Sequence, residues 1–299
     1  MKPPVRAAAV VGAGAIGVSW VELLTRHDIP VVVADPDPAA ADRVRKSLGD
    51  QAGVTFVTDP ARAVADADIV FEAGPERLDV KQELFARMDA AAPLDTLLTS
   101  SSSGFTPTNI QARCAHPERV LVAHPFNPPD LVPLVEVVGG TRTAGAAIER
   151  TVDILAALGK EPVRLHRELP GHVANRLQAA LWREAYYLVQ EGVVSVADLD
   201  RAIASGPGLR WALLGPIATQ HLSGGEGGLR HVLEHLGPPM VAWWADLGEP
   251  TFDAALIDRL VSGVEDEVGG REEALRESRD HALRELLTLK ARAGLQEDQ

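Results

Sequence analysis

Cysteine occurs once in the 299 residues, at Cys114, so no intramolecular disulfide can form. No Cys-x-x-Cys pair or Cys/His cluster supplies the ligands of a structural zinc site, and a reducing cytoplasm is the expected setting. Basic residues are also scarce. The 29 Lys and Arg against 42 Asp and Glu leave a formal charge of −13, with no compensating Lys/Arg run. That balance repels a phosphate backbone and excludes nucleic acid as the expected partner. Long apolar runs are absent as well: no segment approaches the roughly 20 residues that span a bilayer, so no membrane association is expected. Lys2 to Val11 has the positive start and apolar stretch of a signal peptide, but glycines from Gly12 on cut the stretch short and no clean cleavage site follows.

What remains is an ordinary globular composition, 46% hydrophobic and 24% charged, long enough for two domains with a core each. Short apolar, β-branched runs recur at Ala7 to Val11, Pro30 to Ala34, Thr55 to Val57, Ile69 to Glu72, Leu97 to Ser100 and Val120 to Ala123. Helical patterns separate them, beginning with Val18 to Thr25. Strands alternating with helices predict an α/β fold with a Rossmann-type, doubly wound parallel sheet. Leu134 to Val138, the helical stretch Ala144 to Leu158 and Pro162 to Leu165 complete it. Beyond Pro170 and Gly171 the pattern turns helical, as in Ala174 to Glu191, Val196 to Ala204, a hydrophobic helix over 212–236, and an amphipathic tail from Arg271 to Arg292. The expected division is a dinucleotide-binding domain over 1–168 and an all-α domain over 169–299.

Gly12-Ala13-Gly14-Ala15-Ile16-Gly17 matches G-x-G-x-x-G between the first strand and the first helix, the context that makes the motif specific. Gly12 permits the tight turn, Gly14 lets backbone approach a pyrophosphate, and Gly17 lets helix pack on strand. Backbone N–H groups of Ala15 and Ile16 and the helix dipole then hold phosphate charge. Asp35 closes the second strand, where a carboxylate accepts bonds from ribose hydroxyls. Asp35 would repel a 2′-phosphate, and Pro36, Asp37 and Pro38 offer no Arg to neutralise one, so the expected cofactor is NAD.

Ser103, His124-Pro-Phe-Asn127-Pro, Leu134-Val-Glu136 and Gly171-His-Val-Ala-Asn175-Arg-Leu together resemble the L-3-hydroxyacyl-CoA dehydrogenase superfamily over nearly the whole chain. The chemistry is consistent with that resemblance. Taking a hydride from a carbinol carbon needs a base for the hydroxyl proton, and neutral imidazole suits that task, which makes His124 the expected base. The resemblance gives Glu136 the role of orienting the imidazole, and Ser103 and Asn175 that of hydrogen-bonding the substrate oxygen. It also places Glu76, Lys81, Ser103 and Asn127 near the nicotinamide; without the pattern, Glu76 and Lys81 would read as solvated charges. His231 and His235, one helical turn apart around Glu234, lack a third ligand and an H-E-x-x-H order, so no metal is expected.

The acyl-CoA branch of that superfamily carries a long basic helical insertion after the second strand, whereas here one modest helix with Arg43, Arg45 and Lys46 leads to Thr55. Leu181-Trp-Arg-Glu-Ala, Glu191-Gly-Val-Val-Ser, Gly208-Leu-Arg-Trp211 and Leu222-Ser-Gly-Gly are similar instead to the branch containing L-carnitine dehydrogenase and L-gulonate 3-dehydrogenase, also known as lambda-crystallin. Gly224 to His231 and Ala255 to Val261 lean toward the carnitine side. That branch implies a free 3-hydroxy carboxylate as substrate. Arg210 is then a candidate carboxylate clamp beside Trp211, or else a salt-bridge residue. Trp182, Trp211, Trp243, Trp244, Tyr186 and Phe126 offer cation–π faces for a trimethylammonium group, although aromatics at helical spacing more often fill a core. The resemblance further implies a homodimer formed through the helical domain, with the active site in the interdomain cleft. The alternatives are a short-chain 3-hydroxyacyl-CoA dehydrogenase and a non-enzymatic, crystallin-like structural protein.

Overall fold

A computed structural model of the chain describes residues 5–49 and 53–295. Lys2 to Pro4 of the signal-like start, and residues 296–299 of the expected helical domain, lie outside the described residues. Contacts divide the chain into two units, Met1–Arg176 and Leu177–Gln299. The division falls eight residues past the expected boundary because the stretch after Pro170 bonds back to the first unit, through His172, Val173 and Ala174.

The first unit is built on eight strands: β1 Ala8–Val11, β2 Val31–Ala34, β3 Val54–Val57, β4 Ile69–Glu72, β5 Leu97–Ser100, β6 Val120–Pro125, β7 Leu134–Gly139 and β8 Glu161–Arg164. They lie in the order β3-β2-β1-β4-β5-β6-β7-β8. Helices α1 Ala15–Arg26, α2 Ala40–Leu48, α3 Pro60–Ala63, α4 Leu78–Ala91, α5 Pro107–Ile110 and α6 Gly145–Ala157 connect them. Both faces of the sheet are covered, which is why its central strands are apolar throughout rather than alternating. Ala8, Val10, Val31, Val33, Ile69 and Phe71 enter one core cluster, with Trp20 stacked on Phe71 at 4.3 Å. Their neighbours Ala9, Val11, Ala34 and Val70 enter the other, with Phe85 and Met88.

The expected α/β class is observed, with a departure from a wholly parallel sheet at one edge: β7 runs antiparallel to β6, and β8 runs parallel to β7. The chain order reverses between β1 and β4, and the crevice beyond the carboxyl ends of such strands is where doubly wound sheets bind ligands.

The second unit is helical. Following α7 Ala174–Gln190, which begins in the first unit, come α8 Val196–Ala204, α9 Pro207–Leu213, α10 Pro216–Ser223, α11 Gly228–Asp246, α12 Ala254–Val268 and α13 Glu272–Arg292. The single helix expected over 212–236 is thus three pieces. Pro216 starts α10, and the glycines from Gly224 to Gly228, two of them at positive φ, separate it from α11.

Candidate active site

The glycine motif turns tightly after β1. Gly12 has φ +102°, and a Cβ there would lie 2.5 Å from the Ala73 carbonyl oxygen. A Cβ on Gly17 would sit 1.8 Å from the Gly12 carbonyl, so helix and strand touch backbone to backbone. At Gly14 the reverse holds: no heavy atom lies within 4 Å of a Cβ, which leaves open space where a pyrophosphate would approach the first turn of α1, with Ala15 and Ile16. Asp35, at the end of β2, accepts from the Ala13 N–H at 2.7 Å and the Asp37 N–H at 2.8 Å. Gly12, Gly14, Asp35, Arg43, Thr58 and Pro75 contribute to the lining of a cavity of about 570 Å³. The size, the donors and the open glycine fit a dinucleotide's adenosine half.

Residues 36–38 supply no arginine, as expected, but α2 brings one in from further along the chain. An arginine does stand beside Asp35: α2 turns Arg43 back so that its Nη2 lies 3.7 Å from Asp35 while Nη1 pairs with Asp37 and Nε donates to the Ala13 carbonyl. The Asp37 carboxylate raises the Arg43 pKa, and Arg43 in return holds the Asp37 carboxyl below the usual range. Two aspartates therefore already engage this guanidinium.

Lys81 is not a solvated charge. Its side chain is 2% exposed, with Nζ 2.8 Å from Glu72 Oε1 and 3.4 Å from Glu76 Oε2, and Ser100 Oγ donates to Glu72 at 2.6 Å. Glu76 grips the loop after β5 on both sides of Ser103, accepting from Ser102 Oγ at 2.6 Å and from the Gly104 N–H at 3.0 Å. Burial opposes ionisation of Glu76, but the Ser102 bond, the Lys81 charge and the Gly104 N–H outweigh it and hold the carboxyl below its usual value. Ser103 is exposed on that clamped loop, and Asn127 is exposed just past β6.

His124 and Glu136 are direct cross-strand partners, and the antiparallel turn of β7 is what sets them opposite one another. His124 Nδ1 lies 3.0 Å from Glu136 Oε2, both side chains buried. The other Glu136 oxygen accepts the backbone N–H groups of Val173 at 2.8 Å and Ala174 at 3.0 Å, at the start of α7. Burial works against the carboxylate, yet these three bonds and the His124 ring keep its pKa lowered. An ionised carboxylate only accepts, so Nδ1 carries a hydrogen, and in the neutral ring that leaves the lone pair on Nε2. Phe126 packs edge-on against the imidazole at 5.5 Å. Asn175, half-buried, occupies the first turn of α7.

Arg210 and Trp211 are exposed on α9 of the second unit. The core reading of the tryptophans is corrected: Trp182, Trp211, Trp243 and Trp244 are all exposed, between 42% and 66%. The helices present them outward rather than inward. Trp182 and Tyr186 help line a cavity of about 410 Å³ together with Asp200 and Glu265. No group of three or more His, Cys, Asp or Glu placed to hold a metal ion exists among the described residues.

A dinucleotide crevice at the sheet's reversal, with an imidazole–carboxylate pair in the same unit, defines an NAD-dependent dehydrogenase. Residues 7–169 match the NAD binding domain of 3-hydroxyacyl-CoA dehydrogenase and residues 171–259 its C-terminal domain, so the chain belongs to the 3-hydroxyacyl-CoA dehydrogenase family. It is 44% identical to an L-carnitine dehydrogenase of Streptomyces coelicolor, over 98% of both chains. With that of Pseudomonas aeruginosa it shares 41% identity over 92% of this chain and 91% of the relative. Among solved structures, it is similar to 5-formyl-3-hydroxy-2-methylpyridine 4-carboxylic acid 5-dehydrogenase, an NAD+-dependent dismutase, with TM-score 0.83, 28% identity, and coverage of 96% of this chain and 99% of that one. The 3-hydroxyacyl-CoA dehydrogenase of Archaeoglobus fulgidus gives TM-score 0.71 and 25% identity over 97% and 100%.

Proposed function

We propose that the chain oxidises the 3-hydroxyl of a small free hydroxy acid, with L-carnitine as the foremost substrate, to the 3-oxo acid. The observation that carries the reading is the buried His124–Glu136 pair in a chain that resembles L-carnitine dehydrogenases from end to end. The single nine-residue helix between β2 and β3 also supports a free acid over a CoA thioester, since it leaves no long basic insertion for the nucleotide.

In this reading His124 takes the hydroxyl proton at Nε2, while Glu136 keeps the ring oriented and stabilises the imidazolium that forms. Ser103 and Asn175 hydrogen-bond the substrate oxygen as its charge grows. Gly12, Gly14, Ala15, Ile16, Gly17 and Asp35 hold the dinucleotide, and Glu76, Lys81 and Asn127 belong to its nicotinamide end. NAD, when bound, supplies the hydride acceptor. The substrate carboxylate is assigned to Arg210, next to Trp211.

A homodimer is proposed from the second unit, whose exposed Trp243, Trp244, Leu233, Leu236 and Val241 make an apolar surface of the kind that partners cover. A cytoplasmic setting is proposed from cysteine usage, a single residue that can form no intramolecular disulfide. Separately, no described helix is long and apolar enough to cross a membrane.

The test is NAD reduction measured over L-carnitine, gulonate, 3-hydroxybutyrate and 3-hydroxybutyryl-CoA. Turnover concentrated on a free acid is the expected result. Turnover on the thioester alone would give the chain to the acyl-CoA branch, and none on any hydroxyl substrate would leave it a structural protein.

A further inference from the structure

The turn between Gly171 and Ala174 carries a histidine for which the dehydrogenase reading has no use. His172 is fully buried, at 0% exposure, and its φ of +51° lies in the left-handed region that residues other than glycine seldom adopt. Its Nε2 is 3.0 Å from the Ser102 carbonyl oxygen. A carbonyl only accepts, so Nε2 bears the hydrogen and Nδ1 is a lone pair. Among the described residues that Nδ1 has no hydrogen-bond partner. A strained backbone and an unmet buried acceptor both cost stability, and such costs collect where geometry serves function.

What His172 touches gives the cost a purpose. The Ser102 carbonyl belongs to the peptide that leads into Ser103, so the imidazole holds the serine loop from one side while Glu76 holds it from the other. The same ring packs on His124, with centroids 5.1 Å apart and planes tilted by 37°. The clamp on Glu136 does not need this side chain, because it is made by the backbone N–H groups of Val173 and Ala174.

We propose that His172 is a positioning residue of the dehydrogenase: its Nε2–H fixes the Ser102–Ser103 peptide, and with it the Ser103 hydroxyl, against the His124 ring. The proposal rests on the roles given above to Ser103 and His124. The groups that bear on its charge are His124, Glu136, Glu76 and the Ser102 carbonyl. Burial, helped by His124, prevails over the other three and lowers the His172 pKa. A neutral His172 leaves the positive charge that develops during turnover to His124.

Two variants and a spectrum test this. His172→Phe keeps a ring of similar shape and removes the donor, whereas His172→Gln returns a donor near the Nε2 position. His172→Phe should lower kcat by roughly 10- to 100-fold with NADH affinity unchanged and the protein still folded at the assay temperature, and His172→Gln should recover most of the loss. Nitrogen–proton correlation spectra of the intact protein should show His172 as the neutral Nε2–H tautomer, titrating below 6.5, the ordinary histidine value. A fully active His172→Phe, equal losses in both variants, or an Nδ1–H tautomer would each overturn the positioning role. An inactive wild type that shows the expected tautomer would sink the dehydrogenase reading instead.

Discussion

His124 owes its usefulness to what is bound on its far nitrogen. Glu136→Gln keeps the side chain's size but removes the charge that fixes the tautomer, and kcat should fall by roughly 10²- to 10⁴-fold. The same carboxylate links site and stability. Its folded pKa lies below the ordinary 4.5, so as pH falls the unfolded chain takes up that proton first. Glu136 therefore stabilises the fold fully above about pH 4.5 and loses that contribution as pH drops toward the folded value. Urea unfolding at descending pH should show a steeper loss for the wild type than for Glu136→Gln. At Lys81 the consequence is structural: Lys81→Met strands Glu72, whose side chain is 0% exposed, and should cost about 3–5 kcal/mol in urea unfolding. A loss under about 1 kcal/mol would contradict a structural role for the buried Lys81–Glu72 contact. Sequence alone could read the residue types at 124 and 136 but not this burial. A lysine on an amphipathic helix looks solvated until the partner from β4 is seen, and His172 sits inside a quoted motif with nothing in its letters to announce a left-handed, buried ring.

At the scale of elements, the glycine motif makes a paired prediction. Gly17→Ala drives a methyl into the Gly12 carbonyl and should destabilise the fold by more than about 2 kcal/mol. Gly14→Ala meets no protein atom, so stability should hold within about 0.5 kcal/mol while NADH binding weakens, because the methyl occupies the pyrophosphate's space. Thermal melts and NADH titration of the two variants separate the roles, and equal effects would contradict them. The strands were legible because a sheet covered on both faces demands continuous apolar runs, and each is short and bounded by turn residues. The direction of β7 was not legible, since an apolar run reads the same either way, yet that direction is what brings Glu136 to His124. The break of 212–236 into three was written in Gly215, Pro216 and the glycines from Gly224, which outweigh an apolar stripe. Arg43 escaped notice beside Asp35 because the α2 turn, not nearness in sequence, returns it.

For the whole molecule, the two units differ in how they hold themselves. The first buries two apolar layers against its sheet, whereas the second keeps few buried side chains and exposes Trp182, Trp211, Trp243 and Trp244. Light scattering should therefore give a mass of twice the 31.8 kDa of one chain, and Trp243→Glu with Trp244→Glu should shift it toward one chain or lower the thermal midpoint. A wild type that stays at 31.8 kDa would contradict the dimer. Beneath both units lies the claim that one imidazole does the proton work for a cofactor held elsewhere in the same crevice. The measurement that tests it most directly is turnover and NADH binding on a single preparation of His124→Ala. Turnover reduced by roughly 10²-fold or more with NADH binding intact is the predicted result, and turnover equal to the wild type would contradict the account.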